Sequence, residues 1–127
     1  MYLNGNTGSP QAFNVTTDLN GVFSIHNIPV GSYSIAIKNS HTLRKVQTSQ
    51  EIVLGPNTIN FGTLLEGDVN NDNYVDGLDF SLLLNSFFRS VGHPSFDPQA
   101  DLNGDVFVDG LDLSLLLNNF FKAGENP

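Results

Sequence analysis

The hydrophobic residues follow one pattern in residues 1 to about 64 and a different one from residue 66 onward. The first half holds short runs rich in β-branched and aromatic residues, at 22–25, 33–37, 50–54 and 58–61. In the second run, Tyr33, Ile35 and Ile37 alternate with smaller or polar residues, which predicts a β-strand with one buried face. Turns rich in Gly, Pro and Asn at 18–21, 29–32 and 55–57 separate the runs. This half is therefore predicted to form a small antiparallel β-sandwich or open barrel.

In the second half, an acidic stretch followed by an apolar helix occurs twice. Residues 68–88 align without gaps on residues 101–121, an offset of 33, and 15 of the 21 positions are identical. The connector at 90–100 holds Gly92, Pro94 and Pro98, so it cannot form one continuous helix. We therefore expect a mixed chain of two small domains: an all-β domain at 1–65 and an all-α domain at 66–127 with two loop–helix repeats.

Each repeat opens with a twelve-residue loop that has oxygen-bearing side chains at positions 1, 3, 5, 9 and 12. Calcium binds about six to eight hard oxygens, and this spacing supplies them together with the backbone carbonyl of position 7. The smaller, strictly octahedral magnesium ion accepts fewer protein ligands. We therefore expect two bound Ca²⁺ ions, the first held by Asp68, Asn70, Asp72, Tyr74, Asp76 and Asp79 and the second by Asp101, Asn103, Asp105, Phe107, Asp109 and Asp112.

The charge of the chain agrees with metal binding. The formal net charge is −8, and eight of the 13 acidic residues lie in the two loops. Such carboxylates repel one another without a cation, although Asp and Asn also cluster in metal-free turns and helix caps. The negative charge argues against a nucleic acid or an anionic membrane as partner. The lack of cysteine excludes disulfides and thiolate sites, so metal binding must use oxygen.

Two loop positions depart from the standard calcium loop. Position 12 is Asp rather than the longer Glu, so each helix must begin closer to its ion. Position 6 usually needs a positive φ angle, which Asn73 of the first loop tolerates. For Val106 of the second loop, that backbone costs about 1–2 kcal/mol. We expect the second site to be weaker, or its turn to adjust through Gly104.

The duplicated D-x-N-x-D-x-x-x-D-x-x-D loop, followed each time by a single Leu-rich helix, resembles the dockerin modules of cellulosomes and related extracellular assemblies. The resemblance covers residues 67–122 and rests on the loop openings at 67–72 and 100–105. The first half resembles the X-modules, or carboxypeptidase-regulatory-like domains, through the segments 17–23, 29–33 and 61–67. This second resemblance implies a Greek-key β-sandwich.

The dockerin resemblance implies calcium-dependent binding to a cohesin domain of a scaffoldin or cell-surface protein, in an extracellular, polysaccharide-degrading context. The near-twofold internal symmetry further implies docking in either of two orientations. Many dockerins carry small hydroxyl residues where this chain has Gly-Leu, so the class of cohesin stays open. By position, the resemblance assigns partner contacts to Gly77, Leu78, Leu84, Asn85 and Arg89 and to Gly110, Leu111, Leu117, Asn118 and Lys122.

The two helices carry more apolar residues than one buried stripe can cover. Leu78, Leu82, Leu111 and Leu115 are the candidates for an outward-facing interface. Alternatively, the β half covers this surface. The predicted inner stripe consists of Phe80, Leu83, Leu84 and Phe87 with Leu113, Leu116, Leu117 and Phe120.

Other classes of function find little support in the sequence. The chain has no nucleophile elbow, phosphate loop or HExxH motif, and its three histidines are far apart, so we expect no enzymatic activity. No run approaches the ~18 apolar residues of a membrane span, and we expect a secreted fragment whose export signal lies outside it. A calcium-rigidified stalk or a self-association module remains the alternative. A calcium sensor is disfavoured because sensors use paired helix–loop–helix units and Met-rich grooves.

Overall fold

The computed structural model describes residues 1–5 and 10–126, which divide into two compact units. The first unit consists mainly of Met1–Ile37 and Lys45–Gly62, and the second of Lys38–Arg44 and Thr63–Glu125. The seven residues that connect two strands of the first unit therefore belong to the second. The domain boundary between residues 65 and 66 stays a prediction.

The first unit is built on one antiparallel sheet with the strand order β2-β1-β3-β4. The strands are β1 (Tyr2–Gly5), β2 (Gln11–Ala12), β3 (Gly31–Ile37) and β4 (Lys45–Ile52). The predicted strand at 33–37 is confirmed within β3, where Ile35 is buried against Phe61 and the half-buried Phe13 and Ile59. A register shift between Tyr33 and Ile35 interrupts the pairing of β3 with β4.

The predicted sandwich differs from this arrangement, because the described residues contain a single sheet in the first unit. Residues 22–25 and 58–61 are not strands. Side-chain hydrogen bonds occupy the neighbouring backbone groups: Asp18 Oδ1 accepts from the N–H groups of Asn20 and Val22, at 2.8 and 2.9 Å. The Asn57 amide likewise bonds the backbone of Val53 in both directions. Such local bonds compete with strand pairing for the same donors and acceptors.

The second unit contains α1 (Gly77–Asn85), α2 (Gly110–Asn118) and a two-stranded pair of β5 (Arg89–Ser90) and β6 (Phe107–Val108). It is therefore not purely α-helical. Its core consists of the buried residues Leu43, Val69, Val75, Leu83, Ala100, Leu102, Val108 and Leu116. The helices end at Asn85 and Asn118, before Phe88 and Phe121, which have positive φ angles of 57° and 62°.

The helix faces are rotated relative to the predicted stripe. Leu84 and Leu117, which were assigned to the inner stripe, are 44% and 50% exposed, so that assignment was wrong. Leu82 and Leu115 are partly buried against the core, and their role as partner contacts stays a prediction. The cause of the rotation is the buried position-12 Asp at the start of each helix. Leu83 and Ser86 lie four and seven residues after Asp79 and therefore share its face of α1, so burial of Asp79 turns this face toward the core.

The segment that leaves each helix pairs with the loop of the other repeat. Phe88 N–H donates to the Val108 carbonyl and Phe121 N–H to the Val75 carbonyl, both at 2.8 Å. Arg89 pairs with Val108 in the β5–β6 ladder, and further on Val91 N–H bonds the Val106 carbonyl at 3.1 Å. Gly124 N–H bonds the Asn73 carbonyl in the same way, at 2.8 Å. The two repeats are thus related by the offset of 33 in their contacts as well as in their sequence.

Candidate metal centre and helix surface

The first loop is wound around the buried carboxylate of Asp68. Asp68 Oδ1 accepts from the Asp72 N–H and Oδ2 from the Asn73 N–H, each at 2.9 Å. Asn70 Oδ1 also accepts from the Asp72 N–H at 3.0 Å, and Asp72 Oδ1 accepts from the Tyr74 N–H at 2.9 Å. These bonds turn the side chains of positions 1, 3 and 5 toward the inside of one loop.

The second loop repeats this pattern. Asp101 Oδ1 accepts from the N–H groups of Gly104 and Asp105, at 3.0 and 3.1 Å, and its Oδ2 accepts from the Val106 N–H at 2.9 Å. The side chains of Asn103 and Asp105 accept from the backbone two residues further on, each at 3.0 Å. The same local structure is therefore built twice from sequences that differ at positions 2, 4, 6 and 7.

Positions 9 and 12 close each loop and begin the helix. Asp76 is the N-cap of α1 and accepts from the Leu78 N–H at 2.7 Å, while Asp79 Oδ2 accepts from the Asp76 N–H at 2.8 Å, which completes a capping box. Asp79 Oδ1 reaches back to the Asn70 N–H at 3.0 Å. Asp109 and Asp112 do the same for α2. Helix capping thus ties both ends of the loop together.

The carboxylate of Asp79 carries a charge that its hydrogen bonds do not fully offset. Asp79 has no exposed side-chain surface. Its burial raises its pKa, the hydrogen bonds from Asp76 and Asn70 N–H oppose the increase, and the charges of Asp68 and Asp72 raise the pKa further. A carboxyl with a raised pKa in such surroundings is one that a nearby cation would stabilise in its ionised form.

The donor chemistry fits a hard cation such as calcium. Carboxylate and amide oxygens are supplied by all five predicted side chains of each loop, and no thiolate or imidazole is among them. Within the described residues, no three His, Cys, Asp or Glu side chains already converge into a metal cluster. The carboxylate groups instead accept from N–H groups of their own loop, and each group as a whole, with about four lone-pair sites, retains at least one for a further partner.

Position 6 takes the strained backbone in both loops. Asn73 has φ 72° and Val106 has φ 69°. Gly104, at position 4, has φ 75°, but Asn71 at the equivalent position has φ 63°, so this angle belongs to both loops. The alternative that the second loop adjusts its turn through Gly104 is therefore wrong. Unequal affinity of the two sites stays a prediction.

Sequence reasoning missed the contribution of residues 38–44 to the first loop. Lys38 Nζ lies 2.5 Å from Asp68 Oδ2, and the Arg44 N–H donates to Asn73 Oδ1 at 2.8 Å. His41 Nδ1 lies 2.6 Å from Glu66 Oε2, and this hydrogen bond raises the pKa of His41 against the opposing effect of burial. The sequence has only five Lys and Arg residues, which singles out Lys38 as one of few cations, but no spacing pattern connects Lys38 to the loop.

The helices leave apolar side chains exposed at equivalent positions of the two repeats. Leu78 and Leu111 are 63% and 62% exposed. A Cβ atom added to Gly77 or Gly110 would meet no atom within 4 Å, so the start of each helix is open. The other predicted contact residues that are exposed are Leu84, Asn85, Arg89, Leu117, Asn118 and Lys122. In the described part of the chain, neither helix has the length and apolar character needed to cross a bilayer.

Comparison with known proteins agrees with the repeat and the fold. Residues 66–121 match the family model described as Dockerin type I domain. The chain is similar to chains in two crystal structures of interface mutants of a type II cohesin–X-dockerin complex from Acetivibrio cellulolyticus. The C-terminal interface mutant gives a TM-score of 0.75 at 18% identity, and the N-terminal one 0.67 at 19%; each match covers 97% of this chain and 81% of the other. No curated protein sequence matches the chain.

The two comparisons cover different parts of the molecule. The structural similarity extends over both units and concerns the fold, while the family match covers both loops and both helices of the second unit. Dockerins are non-catalytic binding modules, and type I dockerin domains bind calcium. Residues 66–121 therefore match the dockerin type I family, in a chain whose fold is similar to that of an X-module followed by a dockerin.

Proposed function

We propose that the chain is a calcium-dependent binding module that attaches a secreted protein to a cohesin domain. The observation that carries this proposal is the dockerin match over residues 66–121, which includes both acidic loops and both exposed helix faces. The complexes that share the fold are described as cohesin–X-dockerin complexes, which supports a cohesin as the partner.

Two calcium ions would be held by the side chains of positions 1, 3, 5, 9 and 12 and the position-7 carbonyl of each loop. The ions supply positive charge to carboxylates that are otherwise close to one another, including the buried Asp79 and Asp112. Because positions 9 and 12 also cap the helices, ordering of a loop and ordering of its helix are coupled. Calcium removal is therefore expected to loosen the helix faces that bind the partner.

The partner surface would centre on Leu78 and Leu84 in one repeat and Leu111 and Leu117 in the other. Interface cores are apolar and surrounded by polar residues, and Asn85 with Arg89 supplies such a rim beside the first pair. Asn118 and Lys122 occupy the same positions of the second repeat. Two equivalent faces would let one cohesin bind in either of two orientations.

The parent protein would be extracellular and would act in polysaccharide degradation, where a dockerin attaches an enzyme or another domain to a scaffoldin or cell-surface protein. The family description names type I, whereas the structures with the same fold belong to a type II complex. Exposed leucines favour an apolar contact. A test of the proposal therefore has to include cohesins of both types.

The experiment measures binding of the full chain to a panel of type I and type II cohesins by calorimetry, in calcium and in EDTA. We expect at least one cohesin to bind in calcium and none in EDTA. Binding that survives EDTA unchanged would exclude the calcium mechanism. A calcium-dependent dimer in sedimentation, without affinity for any cohesin, would favour self-association instead.

Variants separate the two helix faces. Replacing Leu78 or Leu111 alone by Ala is expected to weaken binding by less than about threefold, since the other face remains available. The double variant should lose about tenfold or more, because central apolar contacts carry roughly 1–2 kcal/mol each. Leu54→Ala is the matched control, since Leu54 is an exposed leucine of the first unit. A double variant that binds as well as this control would remove the leucines from the interface.

A further inference from the structure

The ammonium group of Lys38 is fixed against the first loop. Lys38 Nζ donates to Asp68 Oδ2 at 2.5 Å, to the Thr42 carbonyl at 2.6 Å and to the Asn39 carbonyl at 3.4 Å. The Lys38 side chain is 14% exposed and that of Asp68 is fully buried. All three N–H groups of the ammonium therefore have acceptors, and one acceptor is the position-1 carboxylate of the loop.

The segment that carries Lys38 is anchored independently of this ion pair. Leu43 is 2% exposed and lies in the core of the second unit, and its N–H donates to the Leu65 carbonyl at 2.7 Å. The N–H of Asn39 bonds Thr42 Oγ1 at 2.9 Å, and Arg44 N–H bonds the side chain of Asn73. The backbone that carries Lys38 is thus held beside Asp68 without the ion pair, so Lys38 stays close to the loop when another cation approaches.

The second loop has no cation bonded to its position-1 carboxylate in residues 1–5 and 10–126; Glu66 has the larger effect on the raised pKa of His41, and the charge of Asp101 only adds to it. Among the residues that the structure describes, no Lys, Arg or His nitrogen forms an ion pair with the Asp101 carboxylate. Each loop has four aspartates, so the formal charge is −4 for the second loop and −4 + 1 = −3 for the first with Lys38. In both loops the position-1 carboxylate accepts from the N–H groups of positions 5 and 6, and Lys38 is an electrostatic difference between the two sites.

We propose that Lys38 is a built-in cation of the first loop, which holds that loop together without calcium and lowers the affinity of calcium for it. The inference rests on the proposed calcium binding. Lys38 and calcium act on the same carboxylates, so their coupling free energy is unfavourable and reciprocal. Bound calcium reduces the stabilisation that Lys38 provides, and Lys38 reduces the affinity for calcium by the same factor. Lys38 is a positioning residue in this scheme, because it acts on the ion through Asp68.

The test compares thermal unfolding of the full chain in EDTA and in saturating calcium for wild type, Lys38→Met, Lys38→Arg and Lys122→Met. Lys122→Met is the matched control: it removes the same charge, but its ammonium bonds an amide oxygen, Asn119 Oδ1, at 2.9 Å. We expect Lys38→Met to lower the melting temperature more in EDTA than in calcium, by a margin of about 4 °C or more. Lys38→Arg should restore most of the loss, and the control should change both conditions equally.

Calcium titration with a competing chelator gives a second readout. One of the two sites should bind calcium about fivefold or more tightly in Lys38→Met, and the other should be unchanged. A Lys38→Met chain that has no folded state in EDTA, while Lys38→Arg has one, also supports the proposal. Equal losses in calcium and EDTA, or a larger loss in calcium, would overturn it. If wild type itself does not respond to calcium, the proposed function fails rather than this inference.

Discussion

Replacing Val106 by Asn should stabilise the second loop. Val106 has φ 69°, a backbone that costs a β-branched residue about 1–2 kcal/mol and that Asn adopts more readily. The side chain is 54% exposed, so the substitution removes little buried apolar surface and costs less than about 1 kcal/mol through it. Its backbone bonds to Asp101 and Val91 involve N–H and carbonyl groups that Asn retains. The net gain is therefore expected to be about 1 kcal/mol.

The gain is measured by thermal unfolding in saturating calcium and by calorimetric titration. For a unit of this size, about 1 kcal/mol raises the melting temperature by roughly 4–8 °C. If the loop becomes ordered only with its ion, the same energy appears as an affinity about fivefold higher at the weaker of two unequal sites. Two sites that are equally tight in wild type would contradict the unequal affinities predicted for the two loops.

The reciprocal variant, Asn73→Val, places a β-branched residue in the same backbone of the first loop. It also removes Asn73 Oδ1, which accepts the Arg44 N–H. We expect a loss of about 2–5 kcal/mol, the sum of about 1–2 kcal/mol of strain and about 1–3 kcal/mol for one unsatisfied donor. The reasoning is refuted if Val106→Asn fails to stabilise the protein, or if Asn73→Val is tolerated without loss.

Three further predictions concern the second unit. His41→Gln should cost more stability at acidic than at alkaline pH, because the Glu66 hydrogen bond raises the pKa of His41. The contribution of His41 to the free energy of unfolding is full below the unfolded pKa of 6.5 and is lost as pH rises through the folded pKa. Parallel denaturant titrations across pH test this, and a pH-independent difference between variant and wild type would contradict it. Gly124→Ala should destabilise by about 1–3 kcal/mol in thermal unfolding, because its Cβ would overlap the Asn73 side chain and the Arg44 N–H, whereas Gly77→Ala, in open space, should stay within about 0.5 kcal/mol. Leu83→Ala should cost about 2–5 kcal/mol in chemical denaturation, and a loss below about 1 kcal/mol would mean that the core is not packed as described.

The repeated half was more predictable from sequence than the β half. The structure of each loop depends on residues that are close in sequence, so the spacing of its oxygen-bearing side chains is enough to predict it. The loops form hydrogen bonds among positions 1, 3, 5, 9 and 12, as that spacing requires. In the β half, the runs at 22–25 and 58–61 have strand-like composition but are not paired. Side chains bond the backbone there instead: Asp18 Oδ1 accepts from the Val22 N–H and Asn60 Oδ1 from the Gly62 N–H, and composition alone does not reveal such bonds.

The helix faces and the role of Lys38 could not be read from local patterns for a different reason. Leu82, Leu83 and Leu84 are consecutive, so periodicity alone allows more than one rotation of the helix. The burial of Asp79, a charged residue that hydropathy assigns to the surface, selects the observed rotation. Lys38 meets Asp68 across 30 positions of sequence, and only the folding of residues 38–44 into the second unit brings them together.

The exchange of exit segments between the repeats means that neither repeat is a complete folding unit. The loop of the first is finished by residues that follow the second helix, through the Phe121–Val75 and Gly124–Asn73 bonds, and the loop of the second by residues that follow the first helix. Either repeat expressed alone would lack the segment that closes its own loop, and a substitution that disorders one loop would also weaken the other.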